Sequence, residues 1–211
     1  MPNNLSFVEA ATLTCAGLSV WNALYGIEGH TLRSGDWVLT QGSGGVSVFA
    51  IQFAKAAGAR VNATMSTAEK ANRLETLGAD HVLNYNDDPE WGQTAKQLIG
   101  GKGVQHVIEV TGVSAMRQSL KAVAIEGVVS IIGFRAGMDR KESPSFAEVQ
   151  ATFSLIRGLF VGSRQQFEQM NKAIEANGIK PVVDGKVFKL EEVREAYQVS
   201  GPRTNLRTIK G

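Results

Sequence analysis

Six consecutive residues, Gly42-Ser43-Gly44-Gly45-Val46-Ser47, have the types and spacing to bind a phosphate without a charged side chain. They match the dinucleotide pattern G-x-G-x-x-G except that Ser47 stands where the last glycine would be. Glycine at 42 permits a tight turn, and glycine at 44 lets the backbone approach a pyrophosphate that a β-carbon would hold off. The free N–H groups at the start of the following helix, with its dipole, then supply the anion site. The third position needs a small residue where helix meets strand, and serine is small. The alternative is an ordinary glycine turn with no ligand.

A nucleotide site of this kind that takes NAD carries an acid roughly 20 residues further on, at the end of the second strand, to hold the ribose 2′-hydroxyl. The stretch Asn62-Ala63-Thr64-Met65-Ser66-Thr67 contains no acid. Ser66 is a neutral donor there, and Lys70 and Arg73 follow one turn apart. That neighbourhood suits a 2′-phosphate and favours NADP(H) over NAD(H). The alternative is that both cations solvate an exposed helix face.

Metal chemistry is not indicated. Catalytic zinc needs three protein ligands in tetrahedral reach, and Cys15, His30, His81 and His106 show no mutual ligand spacing. Cys15 reads instead as a small buried thiol. Glu109, late in the fourth core strand, has two readings: an acid that tunes a loop, or a partly exposed acid at the strand end, which is the one expected.

The elements that must position these residues alternate between short Val/Ile/Leu-rich runs and longer segments of helical period. That is the pattern of an α/β fold with a parallel sheet buried on both faces. Strands are expected at 37–40, 60–64, 81–84, 104–110 and 128–132, with a sixth at 159–161. Helices are expected at 46–57, from a Ser66–Glu69 capping box to just before Gly78, at 91–99, around 146–156 and at 164–177. The glycine turn then falls between the first strand and its helix, where an anion cradle belongs.

Composition agrees with one such domain. The chain has 211 residues, 43% of them hydrophobic, with 22 Lys and Arg against 20 Asp and Glu for a net charge of +2. The basic residues are scattered, so nucleic acid is not an expected partner. A single cysteine rules out an intrachain disulfide and fits a reducing compartment. The N-terminal residues have no signal-peptide pattern, and no apolar run approaches bilayer-spanning length, so a cytoplasmic protein with no membrane partner is expected.

Four strings together resemble the medium-chain dehydrogenase/reductase superfamily over nearly the whole chain: LSFVEAATLTCAGLSVWNAL at 5–24, GDWVLTQGSGGVSVFAIQFAKAA at 35–57, LGADHVLNY at 77–85 and LFVGSRQQFEQM at 159–170. They look like its zinc-independent branch of alcohol-dehydrogenase-like and quinone-reductase-like proteins. The resemblance implies a six-stranded, doubly wound Rossmann domain. By it, Gly42, Ser43, Gly44, Gly45 and Val46 cradle the pyrophosphate, Ser66 and Lys70 hold the 2′-phosphate, and Tyr85 lies near the adenosine. Thr111, Gly112, Ile132, Gly133 and Phe134 flank the nicotinamide, Leu159, Phe160 and Val161 close its other side, and Ser19 packs against it. Read alone, Tyr85 is equally a surface aromatic, Thr111-Gly112 a turn, and Ser19 a hydroxyl bonded to a helix carbonyl.

Family members carry a GroES-like domain ahead of this one, and the chain is expected to lack it. Cys15 falls in a segment that resembles the one giving a zinc ligand in the metal-dependent branch, but one ligand is not a site. The C-terminal string Asn205-Leu206-Arg207-Thr208-Ile209 departs from the family pattern, which puts a cofactor contact by Asn205 in doubt. The resemblance implies an NADPH-dependent oxidoreductase acting on a small carbonyl, enone or quinone, and a homodimer joined through sixth-strand edges. No catalytic residue is assigned. The other reading is a shortened relative with a non-redox role, either a nucleotide-binding module or a recruited isomerase or cyclase.

Overall fold

The computed structural model describes residues 1–137 and 143–200. The chain enters through a short helix α1 (Phe7–Ala11), one π-helical turn (Leu13–Gly17) and α2 (Leu18–Tyr25). Strand and helix then alternate as β1 (Trp37–Gln41), α3 (Gly45–Ala56), β2 (Arg60–Met65), α4 (Ala68–Thr76), β3 (His81–Asn84), α5 (Trp91–Leu98), β4 (Val104–Glu109), α6 (Val113–Ala122) and β5 (Val123–Ile131). The described chain closes with α7 (Phe146–Gln150), β6 (Leu155–Gly158), α8 (Arg164–Ala176), a 3₁₀ turn and α9 (Val193–Ser200).

The strands form one sheet in the order β3-β2-β1-β4-β5-β6, and every neighbouring pair is parallel. Successive residues of a strand face opposite sides, so apolar residues at consecutive positions require cover on both. Val38 accordingly joins the core under α2, α3 and α8, and Leu39 joins the core under α5 and α6. The order reverses between β1 and β4. A crevice opens there, beyond the carboxyl ends of the strands, which is where ligands bind in open α/β sheets.

Several boundaries differ from the sequence reading. The sixth strand is Leu155–Gly158, not 159–161. Val161 has φ +49°, a left-handed conformation that a β-branched residue cannot hold within a strand. The preceding helix is only Phe146–Gln150; it opens on a Ser145–Glu148 capping box, and Phe153, three residues past its end, turns the chain with φ +50°. The capping box expected at Ser66–Glu69 does not form. Helix α4 starts at Ala68, so its N-cap is Thr67 and its third residue is Lys70 in place of an acid. The fifth strand starts earlier than expected, at Val123, with an irregularity in its pairing to β4. Among the described residues, no helix is long and apolar enough to cross a membrane.

Candidate functional site

The glycine turn leaves β1 at Gln41. Gly42 has φ +76°, open to glycine and strained for other residues, and its N–H is held by the Thr64 carbonyl of β2 at 2.8 Å. Gly44 is the N-cap of α3 and offers no side-chain cap, which leaves the first N–H groups of a twelve-residue helix open. A β-carbon placed on Gly44 would meet only the Arg135 guanidinium, at 3.7 Å. Beside it the Ser43 hydroxyl is buried with no partner among the described residues. Open helix amides, an unsatisfied hydroxyl and the space a β-carbon would fill are the donor set that a diphosphate requires. Ser47 has a second use beyond its size: its buried hydroxyl donates to the Gln41 carbonyl at 2.6 Å and ties the first turn of α3 to the end of β1.

The turn forms one wall of a cleft of about 980 Å³. Of the residues singled out in the sequence, Gly42, Ser43, Ser66, Lys70, Tyr85 and Thr111 line it. Ser66 and Lys70 stand beyond the end of β2, and among the described residues no acid lines the cleft. Lys70 is half-buried, whereas Arg73 is exposed and lies outside the lining. The Asn86 side chain donates to the Ser66 carbonyl at 3.1 Å and braces this wall against the turn after Tyr85. Pro89, Trp91, Arg117 and Arg135 also line the cleft and were not picked out from the sequence. Arg117 is held by Glu148 at 2.8 Å, and that hydrogen bond, with the Ser145 contacts, pulls the Glu148 carboxyl down to about 2.

Opposite the turn, the Thr111-Gly112 loop leaves β4. Gly112 has φ +99°, and a β-carbon there would press on the Phe134 backbone at 3.1 Å. The loop after β5 lies against it: the Arg135 N–H bonds to the Val110 carbonyl at 3.2 Å and the Ala136 N–H to the Thr111 carbonyl at 2.9 Å. Phe134 thereby lies against Gly112 and Gly133 near Val110, while the Ile132 N–H bonds to the Glu109 carbonyl at 2.8 Å; Arg135 and Ala136 are the residues of that loop that face the cleft.

Glu109 corrects the sequence reading. It is not a partly exposed strand-end acid but fully buried, at 0% exposure. Its Oε1 accepts the backbone N–H groups of Thr111 and Gly112, both at 2.9 Å. Its Oε2 accepts the Gln41 amide at 2.7 Å and the Ser119 hydroxyl at 2.5 Å. The Gln41 Oε1 in turn accepts the N–H groups of Val110 at 3.3 Å and Thr111 at 3.2 Å. The signal in the sequence was a long polar residue at the last position of each of two neighbouring strands.

Other expected residues stand elsewhere. Ser19 is buried on α2 and does not line the cleft. Phe160 is 97% exposed and also lies outside its lining, while Leu159 and Val161 pack on the core beneath α2, α3 and α8. Cys15 is exposed rather than buried. It sits in the π-helical turn with Leu13 and Gly17 buried on the other side. No group of three or more His, Cys, Asp or Glu among the described residues could hold a metal ion. Asn205 lies outside the described residues.

Comparison with known proteins places this arrangement. The chain is 44% identical over 210 residues to a zinc-type alcohol dehydrogenase-like protein of Schizosaccharomyces pombe, covering 99% of this chain and 60% of that protein. A solved structure described as an alcohol dehydrogenase from Sinorhizobium meliloti superposes with a TM-score of 0.85 at 40% identity, covering 94% of this chain and 56% of that one. A second, described as an NAD-dependent alcohol dehydrogenase, gives 0.81 at 36% identity, again over 94% and 56%. The chain thus spans little more than half the length of these relatives. The sequence profile described as zinc-binding dehydrogenase matches residues 45–176, from the first residue of α3 to the last of α8, and the chain belongs to that family within the medium-chain dehydrogenase/reductase superfamily.

Proposed function

We propose that this chain is the NADP(H)-binding part of a zinc-independent oxidoreductase that passes hydride between the nicotinamide and a small carbonyl, enone or quinone. The observation that carries this reading is the cleft itself. At one wall are the open N-terminus of α3 and the Ser43 hydroxyl, without a partner among the described residues; at the other, beyond the end of β2, Ser66 and Lys70 stand where an NAD site would place an acid. Bound nicotinamide supplies the hydride chemistry. The chain's residues supply binding and orientation: Gly42 to Val46 for the diphosphate, Ser66 and Lys70 for the 2′-phosphate, and the loops after β4 and β5 for the ring.

Following NADPH absorbance with a panel of enones, quinones and aldehydes tests the redox half of the proposal, with metal analysis of the active sample testing zinc independence. Consumption of NADPH by a metal-free sample supports it. Tight NADPH binding with no turnover on any of them favours the non-redox alternative, and activity that tracks bound zinc removes the zinc-independent assignment.

The β6 edge supports a second part of the proposal, a homodimer. Among the described residues β6 pairs only with β5, so its outer edge presents backbone groups without a described strand partner beside the half-buried Leu155 and Ile156. A second copy pairing along that edge would satisfy them. Sedimentation that shows only monomer at high concentration removes it.

A further inference from the structure

Gln41 and Glu109 end neighbouring parallel strands, one immediately before the glycine turn and the other two residues before Thr111. We propose that this pair is a positioning device coupling the two halves of the cleft, so that the diphosphate turn and the ring-side loop are held in one geometry. The inference rests on the nucleotide-binding reading above and deepens it.

A buried carboxylate is costly, and an apolar residue would fill the same space, so its retention calls for a use. The geometry supplies one. Glu109 has four donors for its two oxygens, and it divides them: Oε1 faces the loop, Oε2 faces Gln41 and Ser119. Turning two consecutive amides toward one oxygen fixes the Thr111-Gly112 backbone, including the positive φ that Gly112 adopts. That loop passes its position on to the one after β5 through the Ala136 to Thr111 bond. On the other side, the Gln41 carbonyl holds Ser47 and thereby the first turn of α3. One chain of hydrogen bonds therefore runs from the helix start that faces the diphosphate to the loops that face the ring. Glu109 does not line the cleft, so it acts on the ligand only through these groups.

The device makes a split prediction that a purely structural role does not. In Glu109→Gln the new amide NH₂ meets a group that can only donate whichever way it turns, the two backbone amides on one side or the Gln41 NH₂ on the other, and the Ser119 hydroxyl alone can turn to accept. The experiment measures two things on the full chain: affinity for NADPH and for 2′-phospho-ADP-ribose, which lacks the nicotinamide, and hydrogen exchange of backbone amides without nucleotide. For Glu109→Gln, NADPH affinity is expected to fall about tenfold while 2′-phospho-ADP-ribose affinity stays within about twofold. Exchange at Thr111 and Gly112 is expected to rise at least about tenfold while the amide of Leu39, in the middle of β1, is unchanged. Ser119→Ala leaves three of the four carboxylate bonds in place and, being buried outside the cleft, is expected to move both readouts the same way by less, which keeps the test decisive if Glu109→Gln does not fold. Equal loss of both ligands, or exchange at Thr111 and Gly112 unaltered, overturns the proposal. If the unmodified chain binds neither ligand, the nucleotide reading fails, and the exchange measurement alone then decides whether Glu109 holds the loop.

Discussion

The Ser47 hydroxyl donates to the Gln41 carbonyl at 2.6 Å, in the interior, at the position where the dinucleotide pattern has its last glycine. The departure from the pattern is thus an added contact. Ser47→Gly, which restores the pattern to the letter, is expected to destabilise the chain by about 1–2 kcal/mol, through the lost hydrogen bond and the entropy of a glycine inside a helix. NADPH affinity should stay within about twofold. Urea unfolding of the two proteins checks this, and an equal or more stable glycine variant would show that the bond contributes nothing.

Gly42 and Gly44 are needed for different reasons, and alanine at each should separate them. Gly42 has φ +76° with no neighbouring atom near a would-be β-carbon, so Gly42→Ala is strained through its backbone alone and should cost about 1–2 kcal/mol of stability. Gly44 has φ −75°, an ordinary value, so Gly44→Ala should change stability by no more than about 0.5 kcal/mol. It should nevertheless weaken NADPH binding by about tenfold or more, because its methyl group enters the space left for the diphosphate. Thermal unfolding beside a nucleotide titration reads both effects; unimpaired binding in Gly44→Ala would place the diphosphate elsewhere.

His106 gives the fold a pH dependence. Burial pushes its imidazole down to about 4, with the charges of His30 and Arg157 acting in the same direction, and its Nδ1 has no partner among the described residues. The unfolded chain takes up a proton near pH 6.5 and the folded chain only near 4, so stability is complete above about 6.5 and is lost as pH falls between the two. The loss attributable to this residue is about 3 kcal/mol at full titration. In His106→Leu the drop in stability from pH 7 to pH 4 should be smaller by about that amount. Identical pH profiles for the two proteins would mean that His106 takes up its proton as readily in the folded chain as in the unfolded one.

The strands were legible because fully buried parallel strands read as short apolar runs, and the glycine turn because its residues are local to one another. The sixth strand was misplaced for the same reason. Leu159–Val161 is more apolar than Leu155–Gly158, which contains Arg157, and only pairing with β5 and the left-handed turn at Val161 decide between them. Cys15 reads as buried from its residue type, but it falls in a π-helical turn whose buried residues are Leu13 and Gly17 and is itself exposed. The burial of Glu109 depends on Gln41 in another strand and Ser119 in a helix, partners that no local pattern reveals.

The central claim, that the cleft between β1 and β4 takes NADP(H), is tested most directly by titrating the chain with NADPH and NADH, alone and with Lys70→Ala. The expected result is saturable binding of NADPH at least about tenfold tighter than NADH, with Lys70→Ala removing most of that preference and leaving NADH affinity unchanged. Tighter binding of NADH, or no binding of either, would contradict it.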